Sequence, residues 1–336
     1  MSGIDAAASV RLWTAGLVAL ALGGCGDREG SERAALALSE AVYPGEFAFY
    51  DSYLQKGYYD VALVKKGDPL TRLRFAIDAE PAECRIGTAC EQRLRRARAD
   101  AVASAIKIKA LNAGFGECGV PMLGIHDGRI TSAFRTIVEL DLDPADQQPG
   151  LDRLTPCVSG FRRALPADAD EAPGTLALRI LRPVGGRTTA PVPLTLDSRL
   201  PAKRADEPSY HIAIAAGQDR AQAADLRLDV HYVSGSGLDD KLADIARQAL
   251  AKDPLGGRVP NHALNWQLKL DPQRLDVIRT YVLACSTHTP GKGPCQTDIA
   301  VRMRYDLAKG AASELAVIRN ARGAHGSVDL PEMPGR

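Results

Sequence analysis

The sequence predicts an α+β protein built from two related small units, each a mostly antiparallel sheet covered by one helix and stapled by disulfides. Three observations carry this expectation. In each half, segments with period-two alternation surround one stretch of helical periodicity. Six cysteines, Cys84, Cys90, Cys118, Cys157, Cys285 and Cys295, follow a lone Cys25. A short motif, Arg-Thr-x-Val, then a loop, then Pro-Cys, occurs once in each half.

In the first half, residues 59–64 and 73–78 alternate as strands. The spacing of Leu94, Ala97, Ala101, Val102 and Ile106 predicts a helix over about 90–107. Residues 134–140 read as a strand, and 156–162 as a second strand entered through Pro156-Cys157. The second half repeats the order. Strands are expected at 210–215 and 226–232, a helix over about 238–252, then strands at 265–270, 278–283 and 298–305. Two more strand candidates, 175–182 and 188–196, break the symmetry. The order reads as a divergent duplication in which each helix covers one sheet face; chance similarity is the competing explanation.

The amino terminus has a different character. Arg11 and the free amine precede an apolar run from Leu12 to Leu22, about half of the roughly 20 residues that a permanent membrane helix needs. A short apolar core after a positive flank reads as a secretory signal. The run ends in Leu22-Gly23-Gly24-Cys25, which resembles the lipobox of bacterial lipoproteins. That resemblance implies cleavage before Cys25, lipid such as palmitate on Cys25, and a membrane anchor. Gly26 rather than aspartate after the cysteine implies an outer-membrane lipoprotein facing the periplasm. The expected organisation is a signal peptide (1–24), a lipidated tether (25–35), domain 1 (36–165), a Pro/Ala/Asp linker (166–174), domain 2 (175–322) and a flexible tail (323–336).

With Cys25 removed, six cysteines remain, an even number suited to an oxidising compartment. Sequence order favours Cys84–Cys90 and Cys285–Cys295 as local loops, which leaves Cys118–Cys157. The rival, a metal site, lacks any Cys-x-x-Cys pair, and the six histidines are scattered. No metal and no cofactor is expected.

A formal net charge of +1 gives no electrostatic case for nucleic acid, and 5% aromatic residues argue against an aromatic-lined carbohydrate groove. No catalytic constellation stands out. Ser234-Gly235-Ser236-Gly237 lacks the frame of a phosphate loop or a nucleophile elbow and reads as a strand-to-helix turn. Asp229 and His231 would share a strand face, and Gly124 to Gly128, with His126 and Asp127, reads as a turn. The run Arg93, Arg95, Arg96, Arg98 is balanced by Glu83, Glu91 and Asp100.

One stretch resembles a family. Leu94-Arg95-Arg96-Ala97-Arg98-Ala99-Asp100-Ala101-Val102 is similar to the helix of OmpA-like peptidoglycan-binding domains. Gly114-Phe115-Gly116-Glu117 looks like their Gly-Tyr-Gly-Glu segment, and residues 134–139 like their last Arg-Val-Glu strand. The resemblance implies that Arg98 grips a stem-peptide carboxylate, with Glu83 at the family's aspartate position.

These features predict a non-enzymatic, lipid-anchored periplasmic binding protein whose ligand is another protein, in one version an inhibitor or immunity protein against a periplasm-targeted toxin. The alternatives are a peptidoglycan anchor through Arg98 and Glu83, or an enzyme with a dispersed site.

Overall fold

The computed structural model describes residues 28–78, 81–126, 135–167, 175–184, 190, 192–200, 204, 207–260, 265–286, 297–322 and 327–333. Their architecture is mixed α+β, with antiparallel sheets, helices packed on them and disulfide staples. The chain divides into two compact units, the first ending at Lys107 and the second starting at Ile108, inside one long helix.

The first unit opens with α1 (Arg28–Val42), which begins within the segment expected to be a polar tether. Three antiparallel strands follow: β1 (Phe47–Gln55), β2 (Tyr58–Lys65) and β3 (Asp68–Asp78). Both hairpins close in two residues, with Gly57 at φ 85° and Gly67 at φ 78°, a backbone region that costs glycine little. One sheet face carries Val61, Leu63, Leu73, Phe75 and Ile77, which cluster with Ala35 and Leu38 of α1. A turn of 3₁₀ helix, Pro81–Glu83, leads to α2 (Ala89–Cys118), whose Leu94 and Ala101 complete the core. The Cys84–Cys90 disulfide joins that turn to the head of α2, with the Cα atoms 5.1 Å apart.

Helix α2 runs well past the expected end at 107. Ile108, Leu111 and Phe115 stay buried at helical spacing, so the apolar stripe continues past Gly114. In the second unit, β4 (Met122–His126) occupies much of the stretch that reads as a turn, and β5 (Arg135–Glu139) follows. Two helices come next, α3 (Gln148–Asp152) and α4 (Leu154–Ala164). The strand expected at 156–162 is therefore a helix. Leu154, Cys157, Val158 and Phe161 are buried at i, i+3, i+4 and i+7, and Pro156 sits in the first turn, where no amide partner is needed. The Cys118–Cys157 disulfide fastens α4 to the end of α2, with the Cα atoms 5.2 Å apart.

Strands β6 (Leu176–Leu181), β7 (Ser209–Ile214) and β8 (Arg227–Leu228) complete a sheet of order β4-β5-β6-β7-β8, antiparallel except for the parallel pair β5/β6. This sheet runs across the position expected for a linker, whose residues 168–174 lie outside those described. No strand forms over the described part of 188–196. The expected strand 226–232 stops after Leu228 because Asp229 caps a short helix, α5 (Val230–Gly235), its carboxylate accepting the His231 N–H at 2.9 Å. Asp229 and His231 thus share no strand face; Ser234 and Gly235 close α5, and Ser236-Gly237 joins it to the next helix.

Helix α6 (Leu238–Lys252) has the expected bounds, with Asp239 and Asp240 in its first turn and Lys252 in its last, as the helix dipole favours. It packs on an antiparallel meander of β9 (Asn265–Leu270), β10 (Val277–Ala284), β11 (Ile299–Asp306) and β12 (Ala311–Arg319). The repeated Arg-Thr-x-Val falls on β5 and on β10, whereas the first Pro-Cys lies in α4 and Pro294-Cys295 lies outside the described residues.

The tail is not loose over 327–333. Val328 bridges to Arg322, Met333 is buried, and Leu330 and Met333 pack with Tyr281, Leu283 and Ala300. The Tyr281 hydroxyl donates to the Pro331 carbonyl at 2.9 Å, and the Met333 N–H to Gln267 Oε1 at 2.7 Å. Apolar side chains between polar ones let the segment act as a strap.

Candidate functional site

Strand β1 is the outermost strand of the first unit's sheet, and no described strand pairs with its outer edge. Its sequence, Phe-Ala-Phe-Tyr-Asp-Ser-Tyr-Leu-Gln, lacks clean alternation because a bulge at Tyr50 interrupts the register between Phe49 and Asp51. Phe49, Tyr50, Tyr53 and Leu54 are consequently exposed on one strand, Leu54 at 60%.

The face of the sheet away from the core is built from stacked rings and guanidiniums. Arg72 lies 3.7 Å from the ring centre of Tyr50, and Arg74 lies 4.7 Å from that of Tyr53. Arg74 also reaches Asp51 at 3.9 Å and Asp60 at 3.8 Å. These contacts hold both tyrosines in place before any ligand arrives. Beneath the strand, Ser52 is buried, donating to Glu32 of α1 at 2.5 Å and accepting from Arg28 at 3.0 Å. The Ser52 hydroxyl first, and then Arg28, hold the Glu32 carboxyl below its usual range despite partial burial. Helix α1 is thereby pinned to β1. An edge that no described strand pairs, with fixed tyrosines and exposed apolar side chains, is suited to adding a strand from another chain.

The residues expected to bind a ligand do not come together. Arg98 hydrogen-bonds Glu46 at 3.2 Å and stacks on Tyr43 at 4.5 Å. Glu83 lines an open pocket of about 190 Å³ beside the Cys84–Cys90 disulfide, with Asp78, Arg85 and Arg93, and Arg98 does not line it. Within the basic run, Arg93 pairs with Asp78 at 2.7 Å and Arg95 with Glu91 at 2.6 Å. The segment Gly114 to Glu117 lies inside α2 rather than between elements. Cys25 and Cys295 fall outside the described residues, and Cys285 is held in a disulfide. Among the described residues no group of three or more His, Cys, Asp or Glu is placed to hold a metal, and no helix is long and apolar enough to cross a membrane.

The ion-pair partners of the buried carboxylates Asp229 and Asp271 are not marked by any sequence motif. Asp229 is fully buried, 3.6 Å from Arg135 and 3.8 Å from Arg179. His211, paired with Arg179 across β6 and β7, sits beside them; burial, and then Arg135, hold its imidazole below the usual range. Asp271 is buried between Arg279, at 2.8 Å, and Arg304, at 3.6 Å. In the first case the partners are far apart in sequence, so no local motif marks them. In the second, Asp271 and Arg279 are hairpin neighbours, and the expected strands 265–270 and 278–283 could have flagged the pair.

Comparison with known proteins finds no matching family, no matching curated protein and no matching solved structure.

Proposed function

We propose that this chain is a non-enzymatic, lipid-anchored protein of the cell envelope that captures another protein at strand β1. The observation that carries the reading is the open edge of β1, with Phe49, Tyr50, Tyr53 and Leu54 exposed and two of them braced by Arg72 and Arg74. Tyrosine and arginine dominate the energetics of protein interfaces, and fixed side chains lose little entropy on binding. The partner is a protein that adds an extended segment to this edge and sets apolar side chains against Phe49 and Leu54. An inhibitor or immunity protein for a periplasm-directed toxin is one such role.

The address follows from the lipobox: Cys25 carries lipid and the body faces the periplasm at the outer membrane. The disulfides Cys84–Cys90 and Cys118–Cys157 accord with an oxidising compartment. Because Glu46 and Tyr43 already engage Arg98, capture of a protein is favoured over a grip on peptidoglycan.

The test has two arms. Labelled palmitate enters the wild-type chain and not Cys25→Ala. Affinity capture from envelope extract, followed by rebinding of the purified partner, gives a one-to-one complex with wild type. Leu54→Pro, which blocks pairing at the edge, abolishes it, and Arg247→Gln on α6 does not. A partner that rebinds Leu54→Pro as tightly as wild type sinks the docking surface; label in Cys25→Ala sinks the anchor.

A further inference from the structure

Both edge strands of the meander are broken at the same level. The register of β9 slips opposite Arg279 and Tyr281, and that of β12 opposite Arg302 and Arg304. At these breaks Gln267 and Glu314 hold left-handed backbones, with φ of 55° and 54°. Residues with a Cβ keep that conformation only where their surroundings impose it, and such bulges re-aim side chains. The two central strands place Arg279 beside Arg304 and Tyr281 beside Arg302, so the bulges flank one spot.

That spot is an open pocket of about 200 Å³, lined by Arg279, Tyr281, Arg302, Arg304, Glu314 and Glu332, among others. One bulge delivers Glu314 to it, and the other holds the strap that walls it. Gln267 holds the strap through the Met333 N–H, and Glu314 lies 3.7 Å from Arg304 Nη1.

The charges on the wall do not cancel. Asp271 engages Arg279, Lys269 engages Glu332 at 2.9 Å, and Glu314 is matched by Arg304. The buried Nε of Arg304 faces Asp271 at 3.6 Å, whereas Arg302 is left with no ion pair or hydrogen-bond partner among the described residues. A whole guanidinium, that of Arg302, therefore lines the pocket without an acceptor.

We infer that this pocket binds a compact oxyanion, the carboxylate or phosphate group of a small molecule, docked on the Arg302 guanidinium. An oxyanion supplies the acceptors that Arg302 lacks, and the planar guanidinium presents paired donors to it. The pocket is smaller than those that enclose drug-sized ligands, so the ligand is small or offers only its anionic end.

Calorimetric titration of the full chain in detergent, with inorganic phosphate in one arm and succinate in the other, tests this. Saturable binding is expected in at least one arm, and the arm identifies the group. Arg302→Gln weakens it roughly tenfold or more, Arg302→Lys recovers part, and Arg247→Gln changes nothing. Arg302 has no ion pair or side-chain hydrogen bond among the described residues to lose, and matching thermal melts check that the variants keep the fold. Saturation in neither arm at millimolar concentration, or an Arg302→Gln chain that binds like wild type, overturns the inference.

Discussion

Gly160 of α4 meets Gly114 of α2 so closely that a Cβ on Gly160 would lie 2.9 Å from the Gly114 Cα. A Cβ on Gly114 would run into the Phe161 amide nitrogen and the Cys157 carbonyl. Backbone cannot yield as a flexible side chain can, so Gly114→Ala and Gly160→Ala should each destabilise by about 1–3 kcal/mol. Gly116 is the internal control. It lies in the same helix with nothing within 4 Å of its virtual Cβ, so Gly116→Ala should stabilise by about 0.5–1 kcal/mol through helix propensity alone. Urea melts of the three variants decide it: one common sign would refute the close crossing.

The same crossing is clamped by Cys118–Cys157, which closes a loop with a sequence separation of 39, against 6 for Cys84–Cys90. If loop-closure entropy dominates, losing the first should cost about 4 kcal/mol and losing the second about 2 kcal/mol. Paired Cys→Ala variants measured by denaturant unfolding test the order of the two. A larger loss from the short loop would mean that Cys84–Cys90 does more than restrict the unfolded chain.

How much of this was legible depended on whether the signal was local. Helix α6 announces both ends, through Gly237 and paired acids at the start and Lys252 at the close, and its bounds were read correctly. Strand β1 was not read, because its bulge puts aromatic residues on both faces and removes the alternation. Helix α4 was misread because Pro-Cys suggested a strand entry, although the spacing of Leu154, Cys157, Val158 and Phe161 is helical. The pocket beside Arg302 joins Arg279, Arg302, Glu314 and the strap, which only the folded register brings together. Arg98 was singled out from its helix, but the residue that engages it, Glu46, lies 52 positions earlier.

Arg98 and Glu46 are each about one-third exposed, so their ion pair is worth only about 0.5–1 kcal/mol after screening, with a similar amount from stacking on Tyr43. Arg98→Ala should therefore lose about 1 kcal/mol of stability, and a double-mutant cycle with Glu46→Ala should recover a coupling of about 0.5–1 kcal/mol. Co-sedimentation with purified sacculi should be the same for wild type and Arg98→Ala. A mutant that stays in solution while wild type sediments would restore the peptidoglycan reading.

Lys107 of α2 is buried, and burial pushes its ammonium down to about 8 from an ordinary value of 10.5. Below pH 8 the group is charged in both the folded and the unfolded chain, and the full cost of burying the charge applies. Between about pH 8 and 10.5 the unfolded chain holds more protons than the folded one, so stability rises with pH. Relative to Lys107→Met, wild type should gain up to about 3 kcal/mol across that window. Urea midpoints for both chains at pH 7, 9 and 10.5 measure the difference. A constant gap would show that Lys107 titrates at its ordinary value in the fold.

The strap makes the sharpest demand on the second unit. Met333 is 4% exposed and lies with Val328 and Leu330 against Tyr281, Leu283, Ala300 and Ala321. Removing its side chain leaves a cavity that a segment anchored by few hydrogen bonds can partly fill by collapsing. Met333→Ala should therefore cost about 2 kcal/mol, the low end for a buried methionine. Tyr281→Phe removes the hydroxyl that donates to Pro331 and should cost about 1 kcal/mol. Because both contacts hold the same segment, the double variant should lose less than the sum. Amide exchange adds a spatial check, since release of the strap frees the Met333 N–H from Gln267 and exposes residues 328–333 before the meander opens. If those amides exchange as fast in wild type as in the double variant, the strap is not docked in solution, and the wall it gives to the oxyanion pocket is lost with it.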